Sequence, residues 1–279
     1  MPYFNLNIPE NETSTASLYY EDWGAGDPVV LIHGWPLSHE MWEYQIDALV
    51  TAGYRVIAYD RRGFGKSAKT WTGYDYDTLT SDLAALIDGL ALESVSLVGF
   101  SMGGGEVVRY LSRFGIDKIK KAVLISSVVP FMLKTDDHPE GVPAELFDGF
   151  AEKLANDRPA FLSEFAKQFY GEGLLSKPVS QHILNWHQNL SLQASARATE
   201  RCLQSFSRTD FRCDLDKIRI PLLVIHGDAD KTVPIEATSA IVASRVPQAE
   251  YTVLEGAPHG LFITDRDMLN QRLIDFLGQ

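Results

Sequence analysis

The chain predicts an α/β fold, a mostly parallel sheet flanked by helices with a helical cap inserted late in the sheet. Three observations carry that expectation. Between Val29 and Ile125, short continuously apolar runs alternate with helix-patterned stretches, and five alternating β and α elements imply parallel strands joined by right-handed crossovers. From Val129 to Asp216 the rhythm stops, and no buried strand is visible in a stretch rich in helix formers and aromatics. At Pro221 the rhythm returns. The expected organisation is a first core part over residues 1–128, a cap over 129–216 and a second core part over 217–279.

Composition agrees with one large domain carrying an insertion. A chain of 279 residues can bury roughly three quarters of its unfolded surface, so the core needs no metal or disulfide staple. The 37 acidic side chains outnumber the 25 basic ones, the net charge is -12, and no basic cluster stands out. That balance excludes nucleic acid and anionic membranes as partners. Cys202 and Cys213 both fall in the expected cap and are read as reduced thiols. No apolar run approaches membrane-spanning length. Met1 to Glu12 has neither a basic start nor an apolar centre, so no signal peptide is expected and the expected location is cytoplasmic. Asn11-Glu12-Thr13 fits a glycosylation sequon and is treated as a chance match.

The elements follow in order. Ser17 to Trp23 is β-favouring with partial alternation and reads as one strand of an edge hairpin. Val29 to His33 is a strand buried on both faces, ending in the loop Gly34-Trp35-Pro36. Met41, Ile46, Leu49 and Val50 mark a helix over Met41 to Ala52 that Gly53 stops. Arg55 to Tyr59 is the next strand. The glycine-rich loop Asp60 to Ser67 after it imitates the end of a phosphate-binding loop, but Asp60 stands where the first glycine belongs, so a nucleotide site is rejected. Leu79, Leu83, Leu86, Ile87 and Leu90 recur at helical spacing. Ser94 to Val98 and Ala122 to Ile125 are strands on either side of a helix over Met102 to Phe114. Beyond the cap come a strand over Pro221 to His226, a helix over Ile235 to Val246, a strand over Ala249 to Leu254 and a closing helix over Asp265 to Leu277.

The chemistry centres on Gly99-Phe100-Ser101-Met102-Gly103, a G-x-S-x-G run between a strand and a helix. A strand that turns at once into a helix strains the serine backbone and stands its hydroxyl clear of the sheet. Glycines flank it because side chains would collide in so tight a turn. A serine hydroxyl is a weak nucleophile, so it needs a histidine to take its proton and an acid to hold that histidine's tautomer. On a sheet of this kind the three follow in the order Ser, acid, His. His259, in Gly256-Ala257-Pro258-His259-Gly260 after the last strand, is the candidate base. Asp230 is the candidate acid. Asp228 lies closer to the strand end and is expected to tie down its own turn. After the strand that follows the elbow, Ser126-Ser127-Val128 offers no carboxylate. The amides of Met102 and Trp35 are the expected oxyanion donors. His33 and His226 sit at strand ends as structural histidines, and His39, His138, His182 and His187 are assigned to the surface or the cap. His39-Glu40 lacks the second histidine of a zinc helix, and no metal ligand set is proposed.

Taken together, several stretches resemble the non-haem haloperoxidase, perhydrolase and aryl esterase branch of the α/β-hydrolase superfamily. They are His33-Gly34-Trp35-Pro36, Tyr59 to Ser67, Gly73 to Thr78, Gly99 to Tyr110, Thr135 to Pro143, Thr209 to Arg212, His226 to Asp230 and Ala257 to Gly260. The resemblance implies an eight-stranded sheet, Ser101 as nucleophile, His259 as base, Asp230 as its orienter, and no cofactor. It also implies a small aromatic pocket between sheet and cap, which by position Trp35, Phe100, Phe131, Phe161, Phe165, Phe206 and Val233 would line. The implied reaction is hydrolysis of small carboxylic esters through an acyl-enzyme. Hydrogen peroxide in place of water would give a peracid able to oxidise halide off the enzyme. The same three residues would serve a γ-lactamase, an amidase or a C–C bond hydrolase, and a binding module on this fold is a third class. The expected partner is a small ester or amide, and a homo-oligomer is compatible with the sequence.

Overall fold

The computed structural model describes residues 2–6 and 16–279, so the Asn11 sequon and most of the Met1 to Glu12 stretch lie outside the described residues. The chain forms β1 (Tyr3–Asn5), β2 (Ser17–Trp23), β3 (Pro28–Ile32), a 3₁₀ turn over His39–Trp42, α1 (Glu43–Thr51) and β4 (Arg55–Tyr59). Then come α2 (Tyr76–Gly89), β5 (Val95–Phe100), α3 (Met102–Phe114) and β6 (Ile119–Ile125). Three helices follow with no strand among them: α4 (Ala144–Phe169), α5 (Gln181–Gln193) and α6 (Ala196–Arg208). β7 (Leu222–Gly227), α7 (Ser239–Arg245), β8 (Ala249–Leu254), α8 (Leu261–Thr264) and α9 (Arg266–Gly278) complete the chain.

The strands form one sheet in the order β1-β2-β4-β3-β5-β6-β7-β8. β2 runs antiparallel to β1 and β4, while β4, β3, β5, β6, β7 and β8 pair in parallel. Helices cover both faces, which is why the central strands read as unbroken apolar runs; every residue of β5 and β7 is buried. From β3 the chain moves outward to β4, and from β5 it moves the other way to β8. The strand order therefore reverses between β3 and β5, and an open parallel sheet has its crevice at that reversal, beyond the carboxyl ends. Trp35 follows β3 and Ser101 follows β5, so both fall there.

α4 is not one straight rod. Asp157 leaves helical geometry (φ -150°, ψ 83°), and its Oδ1 accepts the Ala160 amide at 3.0 Å. It thus caps a second helical half in which Pro159 falls in the first turn, where its missing N–H costs nothing. In that half Phe161, Phe165 and Phe169 recur every four residues and so share a face. Neighbouring rings lie 5.9 Å apart at each step. Two helices are shorter than their sequence patterns predict. The first begins as a 3₁₀ turn at His39, and the helix expected from Ile235 begins only at Ser239, because Thr238 leaves helical geometry (φ -128°, ψ -96°). Among the described residues, no helix is long and apolar enough to cross a membrane. Cys202 is buried, Cys213 is exposed, and both are free thiols.

Candidate active site

Ser101 occupies the single residue between β5 and α3, with φ 53° and ψ -118°. This is left-handed backbone, costly for a serine and held only because its surroundings over-determine it. The Ser101 amide bonds to the Ile125 carbonyl at 2.8 Å, and its own carbonyl accepts the Gly104 amide at 3.1 Å. The flanking glycines are required by close approach. A Cβ on Gly99 would lie 2.5 Å from the Gly103 carbonyl oxygen, and one on Gly103 would lie 2.4 Å from the Ile32 carbonyl oxygen.

The structure brings Ser101, His259 and Asp230 together across 158 residues of sequence. Ser101 Oγ is 3.0 Å from His259 Nε2, and His259 Nδ1 is 2.6 Å from Asp230 Oδ2. With the carboxylate ionised, Nδ1–H donates to it, and Nε2 is left free to accept the serine proton. All three are buried. Burial by itself would push the Asp230 carboxyl up, but His259 and His226 beside it outweigh that and hold it well below the usual carboxylate range. Its second oxygen accepts the Thr232 and Val233 amides, each at 2.8 Å. Phe100 and Phe169 enclose the His259 ring, with centroids at 4.8 and 4.7 Å.

Asp228 does not tie down its own turn. Its Oδ1 accepts the Gly256 amide at 2.6 Å, joining the loop after β7 to the loop that carries His259. His226 also has more to do than its strand-end position suggested. Its Nε2 lies 3.1 Å from Asp230 Oδ2 and 2.9 Å from the Val233 carbonyl, and Ser239 Oγ holds its Nδ1 at 2.6 Å. The only sequence signal for this was the i, i+4 spacing to Asp230.

His33, at the end of β3, fixes the loop that carries Trp35. Its Nε2 accepts the Arg61 amide at 3.0 Å, so its ring proton belongs on Nδ1, which donates to the Gly34 carbonyl at 2.9 Å. The opposite tautomer would set two N–H groups against each other. Burial, and then the Arg61 charge, pushes the imidazole well below its ordinary range and keeps it neutral. The Gly34 carbonyl also accepts the Leu37 amide at 3.0 Å. In a trans peptide C=O and N–H point in opposite directions. Anchoring the Gly34 carbonyl therefore aims the Trp35 N–H away from His33, and among the described residues that amide has no acceptor. Met102 is the first residue of α3, so its amide has no acceptor within the helix. Arg61 ties this loop to the elbow helix. It donates through Nη2 to the His33 carbonyl at 2.7 Å and through Nε to Glu106 of α3 at 2.6 Å, while Tyr59 completes the Glu106 carboxylate at 2.8 Å.

A cavity of about 20 Å³ faces Ser101 and His259, lined also by Trp35, Val128, Phe147, Phe150, Phe165, Phe206, Thr232 and Val233. Of the residues expected to line it, Trp35, Phe165, Phe206 and Val233 do so; Phe100, Phe131 and Phe161 do not. Phe100 is a β5 side chain fully buried behind His259 against Phe169 and Phe262. Phe131 packs on His138 and under the Arg212 guanidinium. Phe161 sits one helical turn before Phe165 and lines a separate outer cavity of about 80 Å³ with Phe150, Lys153 and Glu164. Sequence reasoning missed Val128, Phe147, Phe150 and Thr232. Only Thr232 had a signal, its adjacency to Val233 on the Asp230 loop. Three histidines assigned to the surface or the cap are buried. His39 bonds Asp60 at 2.7 Å, His138 Nε2 lies 2.9 Å from the Phe131 carbonyl oxygen, and the His187 ring meets Phe169.

Residues 27–266 match the family model described as alpha/beta hydrolase fold. A bromoperoxidase from Bacillus anthracis shares the fold at a TM-score of 0.94, with 48% identity over 96% of this chain and 97% of that one. A non-heme chloroperoxidase of Kitasatospora aureofaciens is 42% identical over 94% of this chain and 96% of its own length. A bifunctional esterase/perhydrolase of Acinetobacter calcoaceticus is 38% identical over 93% of this chain and 95% of its own length.

Proposed function

The chain belongs to the alpha/beta hydrolase fold family, and from that premise we propose that it is a serine hydrolase of small carboxylic esters working through an acyl-enzyme. The observation that carries this reading is the buried hydrogen-bond chain from Ser101 through His259 to Asp230, facing an apolar cavity. Ser101 Oγ attacks the ester carbonyl as His259 Nε2 takes its proton. The amides of Trp35 and Met102 receive the developing oxyanion. The alcohol leaves with the proton from His259, and the acyl group stays on Ser101. Water then regenerates the serine and releases the acid. Hydrogen peroxide in the same step releases a peracid, which oxidises halide off the enzyme. The names of the relatives, haloperoxidases on one side and an esterase/perhydrolase on the other, support this pairing of activities. The insert over residues 129–216 selects the substrate in this reading, since Phe147, Phe150, Phe165 and Phe206 all come from it.

Ser101→Ala tests the assignment. Turnover of p-nitrophenyl acetate should fall by about 10⁶, the scale found where such groups have been dissected, with circular dichroism unchanged. Retained turnover in the folded variant sinks it.

A further inference from the structure

The cavity at Ser101 has one polar side chain with nothing to do. Thr232 is half-buried as a residue, but its Oγ1 is out of contact with solvent and has no hydrogen-bond partner. Leaving a buried hydroxyl unpaired costs about 1–3 kcal/mol, so an orphan in a well-packed site asks for a ligand. Its neighbours sharpen the question. Apart from Ser101 and His259, the other side chains lining the cavity are Trp35, Val128, Phe147, Phe150, Phe165, Phe206 and Val233. The indole N–H of Trp35 is already committed to the Thr199 carbonyl at 2.9 Å. Thr232 therefore contributes the uncommitted polar side chain of the lining beyond Ser101 and His259.

Its position relative to the base is rigid. Asp230 accepts the Thr232 amide on Oδ1 at 2.8 Å and His259 Nδ1 on Oδ2 at 2.6 Å, so one carboxylate clamps both. A β-branched side chain adds stiffness at χ1. The space between is small. About 20 Å³ exceeds the roughly 10–15 Å³ that one water requires.

We propose that Thr232 Oγ1 is the hydrogen-bond anchor for the small O–H nucleophile, water or hydrogen peroxide, that deacylates Ser101. The inference rests on the acyl-enzyme reading above. One O–H of the nucleophile gives its proton to His259 Nε2 as its oxygen bonds the acyl carbon. The remaining O–H donates to Thr232 Oγ1, which turns a lone pair toward that carbon. The adduct then breaks its bond to Ser101 Oγ, which takes the proton back from His259. Water yields the carboxylic acid by this route, and hydrogen peroxide yields the peracid. Thr232 acts on the second half of the reaction, because the leaving alcohol of the first half needs only the His259 proton.

Thr232→Val keeps the shape and removes the hydroxyl, and Thr232→Ser keeps the hydroxyl. With p-nitrophenyl acetate, kcat/KM reports acylation, and the slow phase after the p-nitrophenolate burst reports deacylation. The ratio of deacylation to acylation should fall about fivefold to tenfold in Thr232→Val, the range for one lost hydrogen bond. It should return to within about twofold of wild type in Thr232→Ser. The same fall should appear for peracid release when hydrogen peroxide is added. An unchanged ratio in Thr232→Val, or equal loss in both half-reactions, overturns the role of Thr232. If wild type carries no acyl group on Ser101 after acid quench, the acyl-enzyme reading itself fails, and the inference fails with it.

Discussion

Replacing Asp230 with asparagine tests how the site holds its base. Asp230 Oδ1 faces two backbone donors, Thr232 and Val233, each at 2.8 Å. Oδ2 faces His259 Nδ1 at 2.6 Å and His226 Nε2 at 3.1 Å. An ionised carboxylate accepts on every side, whereas an amide accepts on one side and donates on the other. In Asp230→Asn the oxygen stays with the backbone amides, since the reverse would set an NH₂ against two immovable N–H groups. The NH₂ then meets His259, and the ring responds by accepting at Nδ1 and carrying its proton on Nε2. That proton points at Ser101 Oγ, so the base is lost while the geometry survives. A tautomer error of this kind costs about 10⁴ in kcat, or about 5.5 kcal/mol of barrier. Stability should fall less, by about 2 kcal/mol for lost bonds to a charged acceptor. The pH signature follows from sign. The native carboxyl is held below its ordinary range, so its contribution is present above the unfolded value and is lost as pH falls through the folded one. Asp230→Asn lacks that component of acid unfolding. The assay is p-nitrophenyl acetate turnover beside urea unfolding between pH 3 and pH 7. A folded variant keeping more than about a tenth of wild-type kcat refutes the argument.

Two further outcomes follow from buried histidines. His33→Phe removes the Nδ1 donor that aims the Gly34–Trp35 peptide, and kcat should fall by about 10²–10³ as for a lost oxyanion donor, with KM for p-nitrophenyl acetate nearly unchanged; a loss confined to KM contradicts it. His187 is pushed down to about 3 by burial, with His259 adding to the effect. The unfolded chain therefore binds one more proton below the ordinary value of 6.5, and the native state loses about 2 kcal/mol between pH 7 and pH 5. His187→Phe should flatten the urea-unfolding stability by that amount over this interval, and an unchanged slope refutes it.

Much of this fold was legible because it rests on one-dimensional patterns. Unbroken apolar runs marked strands buried on both faces, and the helix after Ser101 was placed end to end at Met102 to Phe114. The elbow was legible for a related reason, since close backbone approach admits only glycine at 99 and 103. That Asp230 and His259 would meet Ser101 was legible from chain order and loop position. The supporting histidines were not. His33 and His226 were placed correctly at strand ends, but what each ring does depends on which peptide or carboxylate folds against it. Asp228 misled for the same reason, because the Gly256 amide it binds lies 28 residues away.

The lining of the cavity was the least legible part, and α4 shows why. Phe161, Phe165 and Phe169 are chemically identical and share one helix face. Periodicity therefore treats them alike. Yet each ring meets different surroundings. Phe161 borders the outer cavity, Phe165 borders both the outer cavity and the one at Ser101, and Phe169 packs on the His259 ring. Phe150 and Phe165 are shared by both cavities. The break at Asp157 divides α4 before Phe161, and such a break leaves no mark in the spacing of apolar residues.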